Sequence, residues 1–169
     1  MGKKKAVLIV VKPDGMSKGL LPQIFTRLNE AGLELVAARV LQVPRALAAE
    51  HYKHIRGKPF YETTIRHLLG VYYKNRKILA MVYCGAGAVR KCRGLAGATN
   101  PEGADPESIR GAYGCVSSEG VFENVVHVSS DDKEAEREIK LWFSPEEISA
   151  KLYKTKTKIL KSIKRQAWA

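Results

Sequence analysis

Ala6-Val7-Leu8-Ile9-Val10-Val11-Lys12-Pro13-Asp14-Gly15 is the stretch on which the reading of this chain turns. Residues 6–11 form an unbroken apolar run, the pattern of a strand buried on both faces. Such a strand belongs inside a sheet covered by helices. Lys12-Pro13-Asp14-Gly15 then ends the run in a turn.

Working outward, residues 19–31 place Leu20, Ile24, Leu28 and Ala31 at helical spacing, stopped by Gly32. Leu33 to Gln42 alternates and reads as a second strand. Pro44 introduces a helix from Ala46 to Ile55, and a further helix runs from Phe60 to Leu69, closed by Gly70. Ile78 to Tyr83 is a third strand, followed by a helix from Ala88 to Leu95. Residues 99–108 form a loop, and strand 121–128 and helix 132–143 complete the order. The sequence predicts an α+β, ferredoxin-like sandwich, its four-stranded, mostly antiparallel sheet covered by helices.

An apolar content of 45% over 169 residues suffices for one core. No run approaches the roughly 20 apolar residues of a membrane span, and no secretory leader is visible. Cys84, Cys92 and Cys115 lack metal-like spacing and read as reduced thiols of a cytoplasmic protein. The net charge of +12 is uneven, because residues 151–169 carry six Lys and Arg165 without an acid. This basic extension, 149–169, follows a domain expected to span 1–148. Its apolar residues (Leu152, Tyr153, Ile159, Leu160, Ile163, Trp168) favour docking on the body or on a neighbouring subunit over nucleic-acid binding.

His127 lies at the end of the apolar stretch around Val125 and Val126, and Glu138 follows on the next helix. Asp131 can cap that helix, with Glu134 three residues on as in a capping box. Glu138 falls three after Ala135 and four before Trp142, beside an apolar stripe where a carboxylate needs a partner. If the helix folds back on the strand, His127 is that partner, and its second nitrogen is left as a nucleophile. A structural histidine beside a solvated glutamate fits these residues equally well.

Gly85-Ala86-Gly87-Ala88-Val89-Arg90 lacks the third glycine of a dinucleotide fingerprint and reads as a plain strand–helix turn. No GxxxxGK[ST] is present, which excludes a P-loop kinase. Phosphate chemistry would need side chains. Lys12, Arg93 and Arg110 each read alone as surface charges. Grouped with Tyr52, Phe60, Asn124 and His127 they suit a nucleotide: an aromatic face for a base, polar groups for sugar hydroxyls, guanidinium groups for phosphates.

Lys12-Pro13-Asp14-Gly15, His51-Tyr52 with Lys58-Pro59-Phe60, Gly97-Ala98-Thr99-Asn100-Pro101, Ser108-Ile109-Arg110-Gly111, Asn124-x-x-His127-x-Ser129 and Glu138-Ile139-x-x-Trp142-Phe143 together resemble the nucleoside diphosphate kinase family. The resemblance runs in order from about residue 5 to residue 148. It implies a ping-pong transfer of the γ-phosphoryl group from ATP, or another nucleoside triphosphate, to nucleoside diphosphates. His127 would be the phosphorylated nucleophile, acting through Nδ1, with Glu138 on its other nitrogen and Ser129 hydrogen-bonded to Glu138. Phe60 would stack on the base. Lys12 and Asn124 would bind the ribose hydroxyls, Lys12 also reaching the transferred phosphate. Tyr52, Arg93, Thr99 and Arg110 would hold phosphates, with Mg²⁺ carried by phosphate oxygens instead of a protein cage. The resemblance also implies a homo-oligomer, hexamer or tetramer.

The chain departs from the family pattern at Val128, usually Gly, and at Ser130, usually Asp. It carries extra residues near Lys74–Lys77 and between Gly111 and Asn124. The runner-up reading is a catalytically weakened relative that binds nucleic acid through its basic tail.

Overall fold

A computed structural model describes residues 5–118 and 120–157. Strand β1 (Lys5–Val11) leads into a short helix α1 (Pro13–Ser17), helix α2 (Leu21–Asn29) and strand β2 (Glu34–Gln42). Helices α3 (Arg45–His51) and α4 (Tyr61–Leu68) connect to β3 (Lys77–Gly85) and α5 (Ala88–Ala96). Then come α6 (Ile109–Tyr113), the short strands β4 (Cys115–Val116) and β5 (Phe122–Glu123), β6 (Val126–Val128) and α7 (Asp132–Trp142).

Every residue from Ala6 to Val11 is buried. β1 lies inside a four-stranded sheet of order β2-β3-β1-β6, in which every pairing is antiparallel. β3 sits between β1 and β2, and β1 between β3 and β6, which is the split βαβ arrangement of a ferredoxin-like sandwich. The two-residue period of β1 divides the core. Val7, Ile9 and Val11 pack with Ile24, Leu28, Val89 and Cys92 of α2 and α5. Ala6, Leu8 and Val10 pack with Ala48, Ile65, Leu68, Ile139 and Trp142 of α3, α4 and α7.

Three local expectations need correction. Residues 12–15 form more than a turn: Pro13, with φ preset and no N–H to lose, starts helix α1. The strand expected over 121–128 is two strands, because the chain bends at Asn124 and Val125 between a hairpin and the sheet. The loop over residues 99–108, with one 3₁₀ turn at Pro101–Gly103, leads into α6, where no element is expected, capped by Ser108, whose side chain accepts from Gly111 N. The capping box at α7 is half formed. Asp131 accepts from Lys133 N and Glu134 N, while Glu134 pairs with Arg137.

After α7 the chain turns back over the sheet edge. Ser149 N and Oγ both donate to Val36 O, at 2.9 and 3.0 Å. Leu152 and Tyr153 pack against the α3/α4/α7 side of the core, and Lys140 Nζ lies 5.1 Å from the Tyr153 ring centre. Ile159, Leu160, Ile163 and Trp168 lie outside the described residues. No helix among the described residues is long and apolar enough to cross a membrane.

Candidate active site

His127 stands opposite Val10 in the β1–β6 ladder. Its neighbours Val126 and Val128 join the α2/α5 core. Strand alternation therefore turns His127 to the opposite face, which α7 covers. Glu138, on the inner stripe of α7, is only 2% exposed. Its oxygens lie 3.0 and 3.1 Å from His127 Nε2. A carboxylate can only accept, so Nε2 carries the proton and Nδ1 keeps a lone pair. Ser129 Oγ donates to Glu138 Oε2 at 2.5 Å and accepts from Leu8 N at 3.2 Å, extending the sheet's bonding by a side chain. Burial alone would raise the Glu138 pKa. The charge and hydrogen bond of His127, then His51 and Ser129, outweigh it and pull the value down to about 2.

His51 completes this cluster, although its sequence motif gave it no role. It lies three residues after buried Ala48, a spacing that puts it on the core face of α3. Its ring meets that of His127 edge-on, centres 4.4 Å apart. Trp142 Nε1 can only donate, and it donates to His51 Nδ1 at 3.1 Å, so the His51 proton sits on Nε2. Burial, followed by repulsion from His127, holds the His51 pKa well below the usual histidine value. His51 is thus a neutral wall beside His127. Arg137 donates to the carbonyls of Glu50 and His51 and fastens the end of α3 to α7.

Tyr52, the next residue, lies 6.4 Å from His127 between ring centres. Burial, then the Glu138 charge, pushes its phenol well above the ordinary value, so it stays a donor.

Lys12 reaches the site from the end of β1. Its N–H donates to Val125 O at 2.8 Å, and its ammonium lies 3.5 Å from Phe122 O. Val125 adopts a positive φ of 59°, a costly state for a β-branched residue. Asp14 supports it by accepting Val125 N at 2.9 Å, and Val126 N closes the tight turn on Asn124 O. The strain buys an abrupt change of direction: the chain leaves the hairpin at Asn124, and Val126 and His127 enter the sheet opposite Val11 and Val10. Asn124 Nδ2 donates to Thr99 O at 2.7 Å.

Arg110 is buried, contrary to its reading as a surface charge. Its guanidinium donates to Gly97 O at 2.9 Å and to Val126 O at 3.0 Å. Burial and the nearby charge of Arg93 lower its pKa to about 10, which leaves it cationic at neutral pH. Lys12, Tyr52, Arg93 and Arg110 are coupled through their fields, Lys12 with Arg110 and Arg110 with Arg93 and Tyr52. Arg93 and Thr99 are exposed. Phe60, at the N-terminal cap of α4, is 55% exposed and stands on the rim. The structure thus joins His127, Glu138 and Ser129 by hydrogen bonds, with Tyr52 beside His127. Lys12, Asn124, Thr99 and Arg110 form the adjoining wall, and Phe60 stays apart on the lip.

Residues 5–148 match the family model for nucleoside diphosphate kinase. The chain belongs to the nucleoside diphosphate kinase family. It is accordingly an enzyme, a nucleotide-binding kinase of the transferase class. It is 38% identical over 148 residues to the nucleoside diphosphate kinase of Pyrococcus furiosus, covering 88% of each chain. To that of Symbiobacterium thermophilum it is 41% identical over 141 residues, covering 83% of this chain and 88% of the other. Among solved nucleoside diphosphate kinases, the Borrelia burgdorferi transition-state mimic with vanadate and ADP superposes with a TM-score of 0.78. That match has 31% identity and covers 90% of this chain and 94% of the other. The Halobacterium salinarum enzyme in complex with CDP gives 0.77 at 35% identity, covering 86% and 91%.

Proposed function

We propose that this kinase moves a γ-phosphoryl group from a nucleoside triphosphate to a nucleoside diphosphate in two steps through His127. The observation that carries this reading is the pairing of Nε2 with Glu138, which leaves the Nδ1 lone pair as the nucleophile. In the first step Nδ1 attacks the γ-phosphorus, an N–P bond forms, and the bond to the β,γ-bridging oxygen breaks. The nucleoside diphosphate leaves with that electron pair. In the second step a terminal phosphate oxygen of the acceptor diphosphate attacks the same phosphorus, and the N–P bond breaks back onto Nδ1. Neither step requires a proton to be removed from the imidazole.

Phosphoryl transfer depends mainly on alignment and charge neutralisation. Lys12, Arg93 and Arg110 supply positive charge, while Tyr52 and Thr99 supply further phosphate contacts. Lys12 and Asn124 would take the ribose hydroxyls, and Phe60 the base. His51 stays uncharged, so it adds no second imidazolium beside the phosphorylated ring.

Magnesium is the metal such a reaction employs, to neutralise phosphate charge. Among the described residues, one group of three possible ligands is found: His51, His127 and Glu138. Hydrogen bonds already engage Glu138 through both oxygens, His127 through Nε2 and His51 through Nδ1. A protein cage does not fit, and we assign Mg²⁺ to the nucleotide's phosphate oxygens.

We further propose a cytoplasmic homo-oligomer, with 1–148 as the kinase domain and 149–169 as a basic extension. The test is incubation with [γ-³²P]ATP. The expected product is an acid-labile, base-stable phosphoprotein that passes its label to added nucleoside diphosphate and is absent in His127→Ala. Label retained on another residue, with activity preserved, overturns the reading.

A further inference from the structure

Glu123 is where the hairpin that follows α6 meets the turn behind α4. Among the described residues the ladder of β4 and β5 pairs Cys115 with Glu123 and Val116 with Phe122, with one further backbone bond from Ser117 N to Val121 O. A ladder that short does not hold itself in water. Tertiary ties therefore decide where the hairpin rests, and its last residue directly precedes Asn124.

Glu123 collects those ties. Tyr73, just beyond α4, donates its hydroxyl to Glu123 Oε1 at 2.7 Å. Lys18, at the end of α1, donates to Oε2 at 3.1 Å, and Cys115 Sγ lies 3.5 Å from the same oxygen. Burial would raise the Glu123 pKa, but the bonds from Tyr73 and Lys18 hold it below the usual value, so Glu123 stays ionised at neutral pH. The adjacent carbonyl, Phe122 O, faces Lys12 Nζ.

We propose that Glu123 is a positioning residue for Lys12 and Asn124, stapling the hairpin to α1 and to the turn behind α4. α1 follows Lys12 directly, and Phe60 caps the start of α4. The staple therefore fixes the ribose and phosphate wall of the cleft relative to the base-stacking wall. It rests on the reading of Lys12 as a nucleotide-binding group. The charges that act on the Lys12 ammonium are Asp14 and Lys18 from α1, Arg110 from α6 and Glu123 from β5. Burial lowers its pKa, and Asp14 and Glu123 are the two acids that oppose this.

The experiment compares Glu123→Gln, Tyr73→Phe and Lys12→Ala with the wild-type chain. It measures kcat and KM for nucleoside diphosphate across pH, with thermal melting alongside. Misplacement of a phosphate-binding group by 1 Å costs up to about a hundredfold. Loss of one tie is expected to lower kcat/KM roughly tenfold. Removing the Glu123 charge should also move the alkaline limb of kcat/KM to lower pH, because Lys12 loses an acid that keeps it protonated. Tyr73→Phe keeps that charge, so it should lower kcat/KM with the limb in place. A merely structural role would lower the melting temperature and leave the limb unmoved in Glu123→Gln, which would overturn the proposal. A wild-type profile in Glu123→Gln beside an impaired Lys12→Ala would overturn it alone. Full activity in Lys12→Ala would remove the reading of Lys12 and the proposal with it.

Discussion

Glu138 and Phe60 mark the two extremes of the site. One is a carboxylate 2% exposed, with hydrogen bonds on both oxygens; the other is an aromatic ring 55% exposed on the lip of α4. The first belongs to a group locked into the core by β1, β6 and α7, alongside His127, Ser129, His51 and Trp142. The second belongs to a rim of side chains with open faces, Arg93 and Thr99 among them. Groups that do chemistry gain from being fixed before substrate arrives, whereas groups that receive a nucleotide must leave room for it. Substitutions in the core half should therefore act on turnover, and those on the rim on binding.

The hardest test of this division is at His127 itself. His127→Ala should eliminate both phosphoenzyme and nucleotide turnover, with nucleoside diphosphate binding by calorimetry largely kept. Retained turnover would erase the distinction at once.

Glu138→Gln comes next. A neutral amide can still meet Nε2, but it no longer favours one tautomer through its charge. The expected loss in kcat is on the order of a hundredfold, with a smaller change in KM. The same residue predicts a pH dependence of stability. Its folded pKa, about 2, lies below the ordinary 4.5, so its contribution is fully present above 4.5 and is lost as pH falls towards 2. Urea unfolding of wild type and Glu138→Gln should thus show a stability gap at pH 6 that closes as the pH is lowered through this window. A constant gap would mean that the Glu138 carboxylate is not held by its partners.

The core half was also the more legible half in the sequence. An apolar run fixes a buried strand, and alternation on β6 with helical spacing on α7 brings His127 and Glu138 to one face. Residues alone left that pair open between a nucleophile and a structural histidine, and hydrogen-bond geometry resolves which nitrogen Glu138 holds. The phosphate wall and the rim gave weaker signals. Arg110 reads as a surface charge because its acceptors, Gly97 O and Val126 O, are backbone groups that leave no mark on composition. A two-residue strand has no period to detect, so the hairpin and α6 escaped the pattern. The bend at Val125 was hidden inside a β-branched run, since it depends on Asp14, 111 residues away.

Phe60→Ala sharpens the comparison from the rim. Stacking on an aromatic is worth about 1–3 kcal/mol per base. KM should therefore rise by roughly five- to a hundredfold, with kcat changing less. A π-face is common to all bases, so diphosphates of A, G, C, U and T should be accepted within about a hundredfold, or 2.7 kcal/mol. A wider spread would demand a polar contact to the base edge.

The smallest expected effect on chemistry is at the basic extension. Ser149 docks on β2, Leu152 and Tyr153 pack on the α3/α4/α7 side of the core, and Tyr153 meets Lys140. Two hydrogen bonds and a cation–π contact are lost on truncation after Ile148, together with some apolar burial. At about 1 kcal/mol per hydrogen bond and 0.5–1 kcal/mol for the cation–π contact, roughly 2–3 kcal/mol is at stake. For a chain of this size that lowers the melting temperature by roughly 5–10 °C, while kcat stays within about twofold. A polyanion-binding tail predicts a different pattern. Truncation would then leave the melting temperature unchanged and abolish an affinity for nucleic acid whose logarithm falls steeply with log salt. Fluorescence anisotropy with a labelled oligonucleotide at two salt concentrations separates the two. Tight, tail-dependent binding near physiological salt, with no thermal loss, would reverse the assignment of this segment from a docked brace to an interaction arm.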